Sequence, residues 1–256
     1  MTKIIRNIRT NILKITYKAK SSHIGSCLSI VEILSVLYGK VLKKKDRFIL
    51  SKGHAALALY CTLFEKKFIS LKVLNSFGFN KTVLMNHVSH KVKGVEFSTG
   101  SLGHGLPVAV GKALKFKINK ENNKVFILIS DGELNEGTTW ESLLFASHHK
   151  LDNLNIIVDY NKIQSMDFVN KVIKIEPLKE KFLSFGCDVY QVDGHNKSSI
   201  QKVLLKKNNK KPKIIIANTI KGKGVSFMEN NNLWHYKSPN LQELQIALKE
   251  IKKKYA

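Results

Sequence analysis

The chain has 256 residues, 43% of them hydrophobic, which is enough for one packed domain and too apolar for a disordered chain. Its net charge of +24, from 43 basic and 19 acidic residues, attracts polyanions nonspecifically, but the lysines gather in turns and termini such as Lys43-Lys44-Lys45 and Lys252-Lys253-Lys254, without a nucleic-acid motif or interleaved aromatics, so no specific nucleic-acid partner is expected. No stretch is long and apolar enough to span a bilayer, residues 1–20 lack the apolar block and cleavage site of a secretory signal, and Cys27, Cys61 and Cys187 are scattered without metal spacing, which argues against a disulfide framework or a zinc site and favours the cytoplasm.

Apolar spacing predicts a helix over 4–17. A small-residue turn over 21–29 contains His23 and ends in Ser29, read as the N-cap of a helix over 30–42. A short strand over 47–50 runs into Ser51-Lys52-Gly53-His54 and a helix over 55–68. Residues 71–93 show weak periodicity. The glycine-rich stretch 94–113 contains a helix start with Pro107 near its first turn. Then come an apolar strand over 125–129, the turn Ser130-Asp131-Gly132, a helix over 136–150, and a strand over 155–158 leading into Asp159-Tyr160-Asn161. A helix over 176–185, a strand over 188–192, a helix over 197–206 and a strand over 213–218 follow. A loop carrying Trp234-His235 leads to a last amphipathic helix over 240–254. The alternation predicts an α/β fold, a parallel sheet with helices on both faces, as a single domain over 1–256.

Neighbouring parallel strands of a βαβ unit end on the same side of a sheet, so Asp131 and Asn161 face one crevice. A Mg²⁺–diphosphate suits such a place: the cation takes oxygen ligands, a few from protein and the rest from phosphate and water. One carboxylate, one amide oxygen and a backbone carbonyl would serve. Gly132 lets a ligand approach the backbone, and a turn that opens a helix offers N–H groups to phosphate. His54 sits in a similar turn and could donate to a phosphate. An isolated Asp-Gly is more often an ordinary turn; the order and spacing of the whole segment point further.

The segment 125–164, VFILISDGELNEGTTWESLLFASHHKLDNLNIIVDYNKIQ, resembles the thiamine diphosphate signature of the transketolase family. RFILSKGHAALALY and GVEFSTGSLGHGLPVAVGKA resemble that family too, and His23, His54, His87, His104 and His235 fall in family order. The resemblance implies the thiamine diphosphate-binding fold and Mg²⁺ (with Ca²⁺ or Mn²⁺ as substitutes) held by Asp131, Asn161 and the carbonyl of Ile163. It implies that His54, Gly132 and Asn161 contact the diphosphate, and that Gly100, Ser101 and Leu102 lie against the aminopyrimidine. His23, His87 and His235 would meet the donor hydroxyls, His235 also the cofactor. Glu136 matches the family's buried glutamate that couples paired active sites. Two positions depart from the pattern: Ser130 and Tyr236 stand where the family usually has glycine.

The implied reaction is transfer of a two-carbon ketol unit from a ketose phosphate to an aldose phosphate, as in the pentose phosphate pathway, by a cofactor carbanion that attacks the donor carbonyl. The wording GSLGHGLP resembles transketolases encoded as two chains. The resemblance then implies that the pyrimidine-binding and C-terminal domains are absent here and lie on a C-terminal partner subunit, in an α2β2-like assembly. Two rivals stand beside this reading. One is half of another thiamine diphosphate enzyme, of the deoxyxylulose phosphate synthase or ketoacid dehydrogenase kind. The other is a non-catalytic basic protein retaining the fold.

Overall fold

The computed structural model describes residues 1–256. Five strands, β1 (Arg47–Leu50), β2 (Val125–Ser130), β3 (Leu154–Tyr160), β4 (Asp188–Asp193) and β5 (Lys213–Asn218), form one parallel sheet in the order β1-β2-β3-β5-β4. Eleven helices surround it: α1 (Thr2–Ala19), α2 (Ile24–Ser29), α3 (Val31–Val36), α4 (Ala56–Glu65), α5 (Leu71–Leu74), α6 (Gly105–Ile118), α7 (Gly137–His148), α8 (Val169–Val172), α9 (Leu178–Ser184), α10 (Lys197–Leu205) and α11 (Leu241–Lys254).

The apolar strand runs are buried on both faces, and the two-residue pleat divides them between two cores. Phe126, Leu128, Ile157, Ile215 and Ala217 pack under α1–α4, α10 and α11. Ile127, Ile129, Ile156, Val158, Ile214 and Ile216 face α6, α7 and α9. Each such isoleucine, fully withdrawn from water, contributes roughly 1.5–3 kcal/mol. The edge strand β4 is only partly buried and carries Asp188, Gln191 and Asp193. Helix α11 begins with a reciprocal cap between Asn240 and Glu243.

The expected helix over 30–42 is replaced by three pieces. The small-residue turn is itself helical (α2), the chain breaks at Ile30 (φ −105°, ψ 5°), and α3 runs on into a π-helical turn at Leu37–Val41. Ser29 is not an N-cap. Its one hydroxyl proton lies within reach of Ser26 O at 3.0 Å and of Asp159 Oδ2 at 2.7 Å, and the shorter contact is to the carboxylate, so a distant side chain claims the group that would have capped. Small residues let α2 lie close to the loop after β5: a Cβ on Gly25 would meet Lys221 Cγ and Trp234 O, each at 3.2 Å.

Residues 132–135 form a 3-10 turn before α7, and β3 extends through Asp159 and Tyr160, which the sequence reading placed in a turn. Asp159 can sit in a buried strand because Lys52 pairs with it. The three cysteines are free and buried, and no helix is long and apolar enough to cross a membrane.

Candidate functional site

The loops after β1, β2 and β3 open on the same side of the sheet and line a cavity of about 320 Å³. It brings together His23, His54, His87, Leu102, Asp131, Gly132, Glu136, Asn161, Ile163 and His235. Gly100 stands one layer back, an added Cβ lying 3.5 Å from the His87 ring, and Ser101 is exposed. His104 lies at the start of α6, exposed and outside the cavity. Glu136 lines the cavity and is exposed in this single chain, and the fully buried acid of that turn is Glu133. Glu136 is the residue before α7, whereas Glu133 bonds Ser51 and the Gly103 amide.

Asp131 follows β2 directly. Its Oδ1 accepts from the Gly132 amide at 2.8 Å and its Oδ2 from the Lys162 amide at 2.7 Å. Burial, then the charge of Asp159, pushes its carboxyl up to about 7, against the opposing pull of Lys52. The amide of Asn161 is oriented by Asp159: its Nδ2 donates to Asp159 Oδ2 at 3.0 Å, while its Oδ1 accepts from the Ile163 amide at 3.1 Å. A carbonyl oxygen has a second lone pair, so Asn161 Oδ1 can also face a cation. Packing within the chain does not demand glycine at 132, where an added Cβ would make only ordinary contact with Gln164 at 3.6 Å. No group of three or more His, Cys, Asp or Glu side chains is arranged to hold a metal ion by itself. The donor set of one carboxylate, one amide and one carbonyl fits a hard cation whose remaining ligands come from phosphate.

Four imidazoles surround the same space. The His23 ring lies 5.5 Å from His54, 5.6 Å from His87 and 5.1 Å from His235, centroid to centroid. Burial, followed by His87, Lys221 and Lys52, lowers His23 to about 4, and burial with Lys221 lowers His235 to about 3. His54 and His87 are lowered as well, chiefly by burial. All four are neutral near pH 7 and can each donate and accept one hydrogen bond. His23 is held at φ 70° with its amide donating to His235 O at 2.7 Å. A left-handed non-glycine residue in such a cluster is the kind of local strain that functional sites retain.

Sequence reasoning missed two buried lysines at the site, Lys52 and Lys221. Lys52 pairs with Asp159, both side chains fully buried. Asp159 also accepts from Ser29, Thr219 and Asn161. Lys221 Nζ reaches Ile163 O (3.2 Å), Gln164 O (2.9 Å), Asn232 Oδ1 (3.3 Å) and His235 Nδ1 (3.0 Å), with no carboxylate partner. Burial, then Lys52, lowers it to about 8, so it is an ammonium at pH 7. As a donor to Nδ1 it places the His235 ring proton on Nε2. A buried, unbalanced ammonium beside neutral imidazoles suits an anion. Both departures from the family pattern are accommodated. Ser130 Oγ accepts from the Glu133 amide at 3.3 Å, and the exposed Tyr236 ring leans on His235 with centroids 4.9 Å apart.

The fold and the cavity define an α/β domain with a ligand site of anion-binding chemistry at the carboxyl ends of parallel strands. Residues 1–255 match the family model described as "Transketolase, thiamine diphosphate binding domain". The chain is 42% identical over 241 residues to one of the subunits of the apulose-4-phosphate transketolase of Actinobacillus succinogenes, covering 90% of this chain and 87% of that one. It is 37% identical over 254 residues to the protein of the same name from Phocaeicola vulgatus, covering 95% and 90%. Among solved structures it resembles transketolase from Campylobacter jejuni with a TM-score of 0.89 and 29% identity, over 98% of this chain and 42% of that one. The chain belongs to the transketolase family, as a thiamine diphosphate-binding domain with the thiamine diphosphate-binding fold. It spans less than half of the Campylobacter enzyme.

Proposed function

We propose that this chain is the diphosphate-binding subunit of a two-chain transketolase that moves a two-carbon ketol unit from a ketose phosphate to an aldose phosphate, in the cytoplasm, with a separate C-terminal subunit. The observation that carries this reading is the single cavity in which neutral imidazoles face the Asp131–Asn161 pair. The relatives from Actinobacillus and Phocaeicola, both named as one subunit of a transketolase acting on a sugar phosphate, support the two-chain arrangement and the substrate class.

In this reading Mg²⁺ is held by Asp131, Asn161 Oδ1 and Ile163 O, with Ca²⁺ or Mn²⁺ as substitutes. The cation would keep Asp131 ionised at pH 7 despite its burial. Gly132, Asn161 and His54 hold the diphosphate, and the Lys221 ammonium balances its charge. Gly100, Ser101 and Leu102 form the wall beside the cofactor ring. Bound thiamine diphosphate supplies a nucleophilic carbon for the donor carbonyl. His23, His87 and His235 orient the sugar hydroxyls, and the His235 Nε2–H is the donor available to a developing alkoxide. Exposed Glu136 is placed to meet the partner chain.

The test is ketol transfer between a ketose phosphate and an aldose phosphate, assayed with the chain alone, the candidate C-terminal chain alone, and both. Turnover only with both chains supports the proposal. Full turnover by this chain alone, or none by the pair while both fold and bind each other, refutes it.

A further inference from the structure

The segment of residues 99–105 borders the cavity: Leu102 lines it and Gly100 backs the His87 ring. The turn after β2 holds this segment. Glu133 is fully buried, and its Oε1 accepts both from the Gly103 amide at 3.0 Å and from the Ser51 hydroxyl at the end of β1. Five residues on, Thr138 Oγ1 donates to Gly103 O at 2.8 Å. The N–H and the C=O of Gly103 are therefore both claimed by one short segment.

The packing around that clamp has no slack. Gly103 has φ +83°, and a Cβ on it would meet Thr138 Oγ1 at 2.6 Å and Glu136 Cβ at 2.8 Å. A Cβ on Gly105 would overlap Ser51 Oγ, and one on Gly53 would overlap Thr99 O. Three loops thus meet with bare backbone, and a single carboxylate bridges them. The second oxygen of Glu133 is buried with no partner at all. An unsatisfied buried oxygen is unfavourable, so what this side chain contributes is the geometry it imposes.

We infer that Glu133 is a positioning residue that, through Gly103, fixes where Leu102 and the His87 ring stand relative to Asp131 and Asn161. The hydrogen-bond geometry is independent of the cofactor reading; only the effect on thiamine diphosphate binding rests on it. A group that acts by fixing position raises the probability of the competent arrangement and leaves the chemistry of the other residues unchanged.

The experiment is amide hydrogen exchange on the full chain for wild type, Glu133→Ala, Glu133→Gln and Thr138→Val, together with the dissociation constant for thiamine diphosphate and Mg²⁺ in the presence of the candidate partner chain. Glu133→Ala speeds exchange over residues 99–105 by about tenfold or more relative to the amides of β2 and β3, and weakens cofactor binding by about tenfold. Glu133→Gln keeps the accepting Oε1, replaces only the oxygen without a partner, and stays close to wild type on both readouts. Thr138→Val loosens the same segment to a smaller degree and keeps the test open if the alanine variant does not fold. Exchange that rises uniformly along the chain, a glutamine variant as loose as alanine, or a Thr138→Val variant with no local change each overturns the inference. Wild type that fails to bind thiamine diphosphate overturns the cofactor reading instead, and exchange alone then decides the clamp.

Discussion

Removing Lys52 tests how the site tolerates its buried charge. Lys52 and Asp159 are both fully buried and joined by a direct ion pair. Burial pushes the Asp159 carboxyl up, but the Lys52 ammonium and the bonds from Thr219 and Ser29 outweigh it and hold it below its ordinary 3.8. Lys52→Met strips the countercharge and leaves three hydrogen bonds, from Ser29, Thr219 and Asn161. Stranding one partner of a buried pair costs about 3–5 kcal/mol, and the surviving bonds put this case near 3. For a chain of this size that is about 6–12 °C in Tm. The sign with pH follows. In wild type the folded pKa is depressed, so the stabilisation is present above it and lost as pH falls through it. In the variant burial dominates and the folded pKa is raised, so the penalty is full at high pH and relieved as pH falls. Thermal melts by circular dichroism from about pH 8 to about pH 5 should therefore show the gap between variant and wild type narrowing. The double variant Lys52→Met/Asp159→Asn should recover at least about half of the loss. A gap below about 1 °C, or one that does not change with pH, refutes the reasoning.

Three further outcomes follow. The folded pKa values of His23 and His235 lie at about 4 and about 3, and that of His54 is also lowered, below an unfolded value near 6.5. The folded chain binds fewer protons there, so urea midpoints should fall as pH drops from about 6.5 toward 4, only partly opposed by the raised Asp131 and Glu133 carboxyls. Gly111→Ala, where an added Cβ meets nothing within 4 Å, should raise stability by about 0.5–1 kcal/mol, whereas Gly105→Ala forces a Cβ into Ser51 Oγ and should lower it clearly; urea melts of both check this. Lys221→Met should weaken diphosphate binding about tenfold or more by calorimetry, since it removes an unpaired buried ammonium beside His235 and Ile163 O.

The sheet is legible in the sequence because parallel strands buried on both faces leave apolar cores such as Ile214-Ile215-Ile216-Ala217, and the strand over 213–218 is matched residue for residue by β5. The Asp131–Asn161 pairing is legible because a βαβ unit returns both to one edge. Lys52, Asp159 and Lys221 are not legible, because a lysine in a turn reads as solvated surface until a carboxylate 107 residues away, or a set of carbonyls, is brought against it. Ser29 misleads for a related reason: a hydroxyl before an apolar run looks like a helix cap, but a tertiary partner takes it. The burial of Glu133 is not legible from spacing, since it depends on where the Gly103 loop passes.

The most direct test of the central claim is calorimetric titration of thiamine diphosphate into the chain, with and without Mg²⁺ and the candidate C-terminal chain, for wild type and Asp131→Ala. The account predicts binding that requires the cation, tightens with the partner and disappears in the variant. Folded wild type that binds under none of these conditions, or an Asp131→Ala variant that binds as well as wild type, would contradict it.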